Sequence, residues 1–338
     1  MTVDIHSHVY PRDYLQLLAQ RTEIPRIESR EDGEHLIIFP DEHRTLGATR
    51  PISPAYFDLS EKLAFMRKNE IDQSVLSIGN PWLDFLPPQE GARWATHLND
   101  WLQEQCQRED QFRAFGVIAP QAPEEAADEI KRIAGLPHID GIILGTRPGH
   151  GHLDSRTLDP IWSALEATGL LVFIHPHYVV GYDWMGGMGH SLPLALGFPF
   201  ETAVATARLI LSGTLDRHPR LRLLLAHGGG ALPYLAARLE TCVSIDGDAS
   251  KHVSKPIGEY VRALLYDAVV YSSISLKLTM ETASSDQIAF GTDHPFGIAK
   301  PDLIRRAIFD AAPTETVAQD MLHRNAFRWR EERGKMRV

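Results

Sequence analysis

The chain has only two cysteines in 338 residues, Cys106 and Cys242, far apart and with no neighbouring cysteine. That spacing excludes a zinc ribbon or a redox pair and reads as two free, buried thiols in a reducing compartment. Positive charge is also short, with 34 Lys and Arg against 44 Asp and Glu and a formal net charge of −10. Nucleic-acid binding normally needs a cationic surface that displaces counterions from phosphates, so no nucleic-acid partner is expected, and a small-molecule substrate is. No cationic leader precedes the first strand-like run at Thr2, and no uninterrupted apolar segment reaches the ~20 residues of a membrane span. The expectation is a cytoplasmic protein with no membrane partner. A doubly wound sheet would show a glycine-rich phosphate turn after its first strand; "HSHVYP" is not one. Internal repeats and low-complexity tracts are missing as well.

What is present is an alternation of short apolar runs with longer stretches of helical periodicity. With 43% hydrophobic residues the chain can bury a large core. Eight strand-like runs can be counted: "TVDIH", "QSVLSIG" from Gln73, "FRAFGVIA" from Phe112, "GIILGT" from Gly141, "LLVFIH" from Leu170, "RLLLAH" from Arg222, "AVVYSS" from Ala268 and "IAFGTD" from Ile288. Several are apolar at consecutive positions, as strands covered on both faces are. Helical candidates between them include Leu59 to Asn69, Ala92 to Arg108, Pro123 to Ala134, Pro160 to Thr168, Phe200 to Ser212, Leu232 to Cys242 and Pro256 to Leu265. Eight βα units imply an α/β fold of the (β/α)8 TIM-barrel type, one domain over 1–338. Residues 20–53, with a lone strand-like "HLIIF", read as a small insertion after strand one that folds over the barrel mouth. A second long loop, Tyr178 to Phe200, follows strand five and is rich in glycine and aromatics.

Catalytic groups of a TIM barrel project from the C-terminal ends of its strands. Here strand one ends in His6 and His8, strand five in His175, strand six in His227 and strand eight in Asp293. Side chains two apart on a strand share a face, so His6 and His8 can both reach the mouth. A single histidine at a strand end is more often a hydrogen-bonded structural residue; four histidines and an aspartate on four strand ends are better explained as a site. The expected metal ligands are His6, His8, His175 and Asp293, which suit zinc, with manganese as the alternative. His227 is left beside the metal, where an imidazole can move protons. His177 and His294 are expected to face helices or loops, and His97, His138 and His218 to lie at the surface. Two-metal barrel hydrolases use a modified lysine at the end of strand four, but "GIILGTRP" has none, so one metal is expected.

The runs "VDIHSHVYP", "LLVFIHPHY", "HSLPLALGFPFET", "LLLAHGGGALPYLAARLE" and "IAFGTDHPF" together resemble the amidohydrolase superfamily over almost the whole chain. Within it the resemblance is to the non-oxidative decarboxylases. Aminocarboxymuconate semialdehyde decarboxylase is similar in "DIHSH", "AHGGG" and GTD-x-PF, and fungal isoorotate (uracil-5-carboxylate) decarboxylase more so, through "NPWLDF", "FIHPHY" and "LPLALGFP". The resemblance implies the same four ligands and a catalytic His227. It also implies an Arg50 that binds a substrate anion, an Asn80 that hydrogen-bonds the substrate, and Phe198 and Phe296 flanking its ring. For Trp82 and Trp184, core packing is the better expectation. A homodimer or tetramer is implied too. The expected activity is loss of carbon dioxide from a small planar acid, with Asp293 or His227 as the acid. A lactone or amide hydrolase using the same ligands is the alternative.

Overall fold

Short runs of buried apolar residues form the barrel strands, and their register builds the architecture. The computed structural model describes residues 1–39, 42, 50–185 and 189–336. Its strands are β1 (Val3–Val9), β2 (Arg26–Arg30), β3 (Gly33–Ile37), β4 (Arg50–Pro51), β5 (Gln73–Ile78), β6 (Phe112–Val117), β7 (Ile139–Gly145), β8 (Leu171–His175), β9 (Arg222–Leu225), β10 (Leu265–Asp267) and β11 (Ile288–Ala289). The eight strands β1 and β5 to β11 pair in that order as one parallel sheet. Backbone hydrogen bonds bring its edges together: Ile5 N–H donates to Phe290 O (3.0 Å), Asp293 N–H to His6 O (2.8 Å) and His8 N–H to His294 O (2.7 Å). The fold is a (β/α)8 barrel.

The intervening helices form where their end chemistry and apolar faces coincide. Pro123–Ala134 starts on a proline, carries Glu124 and Glu125 in its first turn and Lys131 and Arg132 in its last, and so opposes its dipole at both ends. Its Ala126, Ala127, Ile130 and Ile133 face the barrel. Leu59–Lys68 is capped by Asp58, whose carboxylate accepts from Ser60 N–H at 2.9 Å. By length and composition alone, the helical stretch Pro193–Leu211 could cross a membrane; half of it is buried inside the protein. There Leu209 and Ile210 pack inward as part of the outer helical layer.

Below the sheet, the C-terminal helix Asn325–Met336 closes the barrel. Trp329 is fully buried, and the Arg330 guanidinium reaches Asp140 Oδ2 at 2.9 Å and Gln73 Oε1 at 3.0 Å.

Three sequence expectations need correction. Strand seven is Leu265–Asp267, three residues before "AVVYSS". "HLIIF" is not a lone strand: β3 pairs antiparallel with β2 and β4. Within the expected insertion, residues 40–41 and 43–49 lie outside those described. Finally, Cys106 is buried as expected, but Cys242 is exposed.

Candidate active site

β1 carries a bulge between Asp4 and Ser7, at the point where His6 turns into the barrel. His6 and His8 then present their rings to each other with centroids 5.0 Å apart, and His175, the last residue of β8, lies 5.1 Å from His6 and 5.0 Å from His8. The three imidazoles form a nearly equilateral triangle. Asp293 closes it from beyond β11, with Oδ1 at 3.2 Å from His6 Nε2 and 3.3 Å from His8 Nε2. Its backbone has φ 62°, a left-handed conformation rare outside glycine, and His227 has φ 55°. Backbone strain of this kind collects at functional sites.

The outer nitrogens decide what the inner ones offer. His6 Nδ1 donates to Asp267 Oδ2 at 2.6 Å, and His175 Nδ1 donates to the Pro176 carbonyl at 2.9 Å. Ser77 Oγ spends its proton on Ser7 O, so at 3.0 Å it accepts from His8 Nδ1. With all three Nδ1 atoms committed to outer acceptors, the three Nε2 atoms face inward, and each offers a lone pair there once it carries no proton. His6 Nε2 and His8 Nε2 stand 3.0 Å apart, and among the described residues neither His175 Nε2 nor Asp293 Oδ1 has a hydrogen-bond partner. Facing lone pairs and an anionic oxygen require positive charge between them. Imidazoles held by outer hydrogen bonds, with a free inner nitrogen, are what a divalent metal takes. The donor set fits a metal.

His227 stands apart in this respect. It lies two residues past β9 in a tight turn, and its Nε2 is 3.6 Å from Asp293 Oδ2. Donor atoms of His6, His175, His227 and Asp293 fall within 4.8 Å of one another, so distance alone does not separate it from the ligands. Its Nδ1, however, has no partner among the described residues, and its side chain retains 14% exposure.

The amidohydrolase profile matches residues 3–329. The chain belongs to the amidohydrolase family. A relative from Dictyostelium discoideum, 2-amino-3-carboxymuconate-6-semialdehyde decarboxylase, is 27% identical over 96% of this chain and 90% of its own length. The apo crystal structure of Metarhizium anisopliae isoorotate decarboxylase (IDCase) is 34% identical, with a TM-score of 0.91 over 98% of this chain and 97% of that one. The 5-carboxyvanillate decarboxylase of Novosphingobium aromaticivorans, solved with manganese and 4-hydroxy-3-methoxy-5-nitrobenzoic acid, shares the fold at 24% identity and a TM-score of 0.83, covering 98% and 96% of the two chains. These relatives are carboxy-lyases, and this amidohydrolase is a metal-dependent decarboxylase rather than a lactone or amide hydrolase.

Around the amidohydrolase centre, Phe296 packs against His8 at 5.3 Å between ring centroids, and Tyr56 against Phe296 at 5.9 Å. Asn80, two residues past β5, is buried; its Nδ2 donates to His177 O at 3.0 Å, leaving Oδ1 without a partner among the described residues. Arg50, on β4, lies 5.2 Å from the Phe39 ring. Phe198 packs against the same ring, 6.0 Å from Phe39. The histidines and Asp293 are therefore brought together directly, while Arg50 and Phe198 meet each other at the Phe39 ring.

Electrostatics repeat the demand for positive charge. Burial alone would depress His6, but Asp293 and Asp267 outweigh it and raise the imidazole to about 10. Burial, together with the charge on His6, pushes His8 down to about 4, and burial with the neighbouring histidines holds His175 well below the usual range. Against its own burial, Asp293 is held far below the ordinary carboxylate range by His6, His227 and His8.

The residue that sequence reasoning missed is Asp267. Besides His6, its carboxylate accepts from His227 N–H (2.9 Å), Gly228 N–H (2.9 Å) and Val269 N–H (3.0 Å). A charged residue inside the apolar run "LLYDAVVY" was the available signal. Two other expectations fail. Trp184 is 90% exposed instead of packed, and His218 is buried beside Glu166 rather than at the surface. Trp82 packs as expected, its ring 5.5 Å from His175.

Proposed function

We propose that this chain removes carbon dioxide from a small planar acid that carries a polar group, such as a carbonyl or hydroxyl oxygen, beside its carboxylate, isoorotate before a hydroxybenzoate. The observation that carries this reading is the inward convergence of three Nε2 lone pairs on Asp293 Oδ1. His6, His8, His175 and Asp293 would hold one divalent cation, zinc by its liking for imidazole, with manganese as the alternative. When bound, it supplies Lewis-acid charge to the substrate's carboxylate and neighbouring oxygen.

The chain's own groups set the rest. Because His177 O can only accept, Asn80 must turn its NH2 toward it, and Oδ1 is the atom left for substrate. That oxygen demands a donor, which isoorotate offers as a ring N–H. Arg50 Nη2, buried and without a partner among the described residues, offers the opposite polarity to an anionic oxygen. Phe296 and Phe198 wall the ring. His227, in contact with Asp293 Oδ2 and partly exposed, can draw a proton from solvent and deliver it with Asp293 at the carbon bearing the carboxylate. The new C–H bond forms there, the C–C bond breaks, and carbon dioxide leaves with its electron pair returned to the ring.

One domain over 1–338, with the 20–53 insertion as a wall of the mouth, goes with this reading. So does a dimer or tetramer: Leu196, Phe200 and Val204 repeat at helical spacing on one exposed face, and sedimentation reads the assembly directly. The cytoplasmic expectation rests on the two unpaired thiols. The test is carbon dioxide release from isoorotate, 2,6-dihydroxybenzoate, 6-methylsalicylate and aminocarboxymuconate semialdehyde, with elemental analysis of the purified protein. Isoorotate should give the highest kcat/KM. Release from none of the four would end the reading.

A further inference from the structure

Glu42 is a buried carboxylate that the proposed chemistry does not use. Its residue exposure is 1%, and it stands where the strand-one insertion meets the loop that follows β8. Oε2 accepts from the N–H groups of Ile38 and Phe39 (2.8 Å for the latter), which fixes the carboxylate to its own segment. Oε1 faces two side chains from elsewhere, the Arg50 guanidinium with Nε at 3.2 Å and the His190 imidazole with Nε2 at 2.6 Å. Arg50 comes from β4 and His190 from the loop after β8, so one oxygen ties three separate segments. Burial would raise Glu42, but Arg50 and His190 outweigh it and hold the carboxyl below its usual range.

The grip is on one edge of the guanidinium only. Nε faces Glu42, while Nη2 is buried and has no partner among the described residues. A guanidinium is a rigid planar fork, so fixing its Nε edge fixes where Nη2 points. Phe39, one of the two residues whose N–H groups Glu42 holds, lies under Arg50 at 5.2 Å and touches Tyr182 (5.1 Å) and Phe198 (6.0 Å) of the loop and helix on the other side. Both walls of the mouth therefore converge on the same residue.

We propose that Glu42 is a positioning residue that aims Arg50 Nη2 at the substrate anion and, through His190, fastens the loop after β8 to the insertion across the barrel mouth. The proposal rests on Arg50 being the anion-binding group of the decarboxylase. Glu42→Gln keeps acceptors for Ile38 and Phe39 but loses the charge that holds Arg50 and His190. On the metal-loaded variant, KM for isoorotate should rise about tenfold with a smaller change in kcat, as expected for loss of one charge-assisted contact in binding. Metal content should stay at the wild-type level. Hydrogen–deuterium exchange should quicken together in the peptides covering 36–39 and 189–195. His190→Gln, which retains a donor, should quicken exchange less than His190→Ala, and both serve should Glu42→Gln not fold.

Unchanged exchange in the 189–195 peptide of these variants overturns the fastening, whether or not any acid is turned over. Faster exchange with KM and kcat both at wild-type values overturns the aiming of Arg50. A wild-type protein that releases no carbon dioxide from any acid sinks the decarboxylase reading and the aiming with it, while the exchange data still decide the fastening.

Discussion

Asp267 gathers four donors on one buried carboxylate, among them the Nδ1 of His6 and the backbone of His227. It sets the tautomer of His6, an imidazole of the proposed metal site, and the turn that carries His227, the proposed proton donor. Asp267→Asn keeps the shape but puts an NH2 among groups that donate. Metal affinity should fall about 10–100-fold, the usual effect of losing such an outer partner, and competition with a chelator reads it. His227→Asn should leave metal content unchanged and lower turnover about 10²–10⁴-fold; near-normal turnover would remove its catalytic assignment. The histidines were legible because strand ends with period-two spacing announce themselves in the chain. Asp267 was not, since the apolar run "AVVYSS" next to it carries a stronger strand signal than the three residues that pair. Trp184 escaped for a related reason: an aromatic residue reads as core until the loop that carries it is placed. Arg50 and Asn80 needed the family resemblance, because neither sits in a local pattern that marks it.

Among the elements, the βα alternation was legible nearly to the residue, as for Pro123–Ala134, because both faces of each strand are covered and each helix carries its own end signals. Short strands were harder: β10 has three residues and β11 two, and the barrel is closed there by backbone bonds from Phe290 and Asp293 to β1. The Gly228–Gly230 turn after β9 is another element whose reason lies in packing. Gly230 has φ 63° and ψ −126°, and a Cβ there would come 2.0 Å from the Pro199 carbonyl oxygen. Gly230→Ala should cost about 2–4 kcal/mol, through strain and backbone overlap together. On that basis Tm should fall by roughly 3–6 °C. Gly247→Ala, whose Cβ meets nothing within 4 Å, is the control and should leave Tm in place.

For the molecule as a whole, the C-terminal helix covers one end of the barrel, the clustered histidines and Asp293 stand at the other, and buried titratable groups make its stability depend on pH. Burial pushes the Glu201 carboxyl up from 4.5 to about 8, against the pull of Thr146 and of the Tyr178 and His177 N–H groups. The folded value lies above the unfolded one, so this contribution is complete below about pH 4.5 and is lost as pH rises through about 8. Glu201→Gln stays neutral throughout. Its Tm should fall less than that of wild type between about pH 5 and 8, by calorimetry; parallel curves would show Glu201 to be ionised already. The net charge of −10 was legible as a statement about partners. The triangle of imidazoles was legible only once a barrel had been inferred to bring distant strand ends together.

The most direct test of the central claim is to strip the protein with a chelator and follow carbon dioxide release from isoorotate as zinc or manganese is added back. Activity should be absent at the start, rise in proportion to added metal and stop at one equivalent per chain. Full activity in the stripped protein, or a rise that continues to a second equivalent, would contradict it.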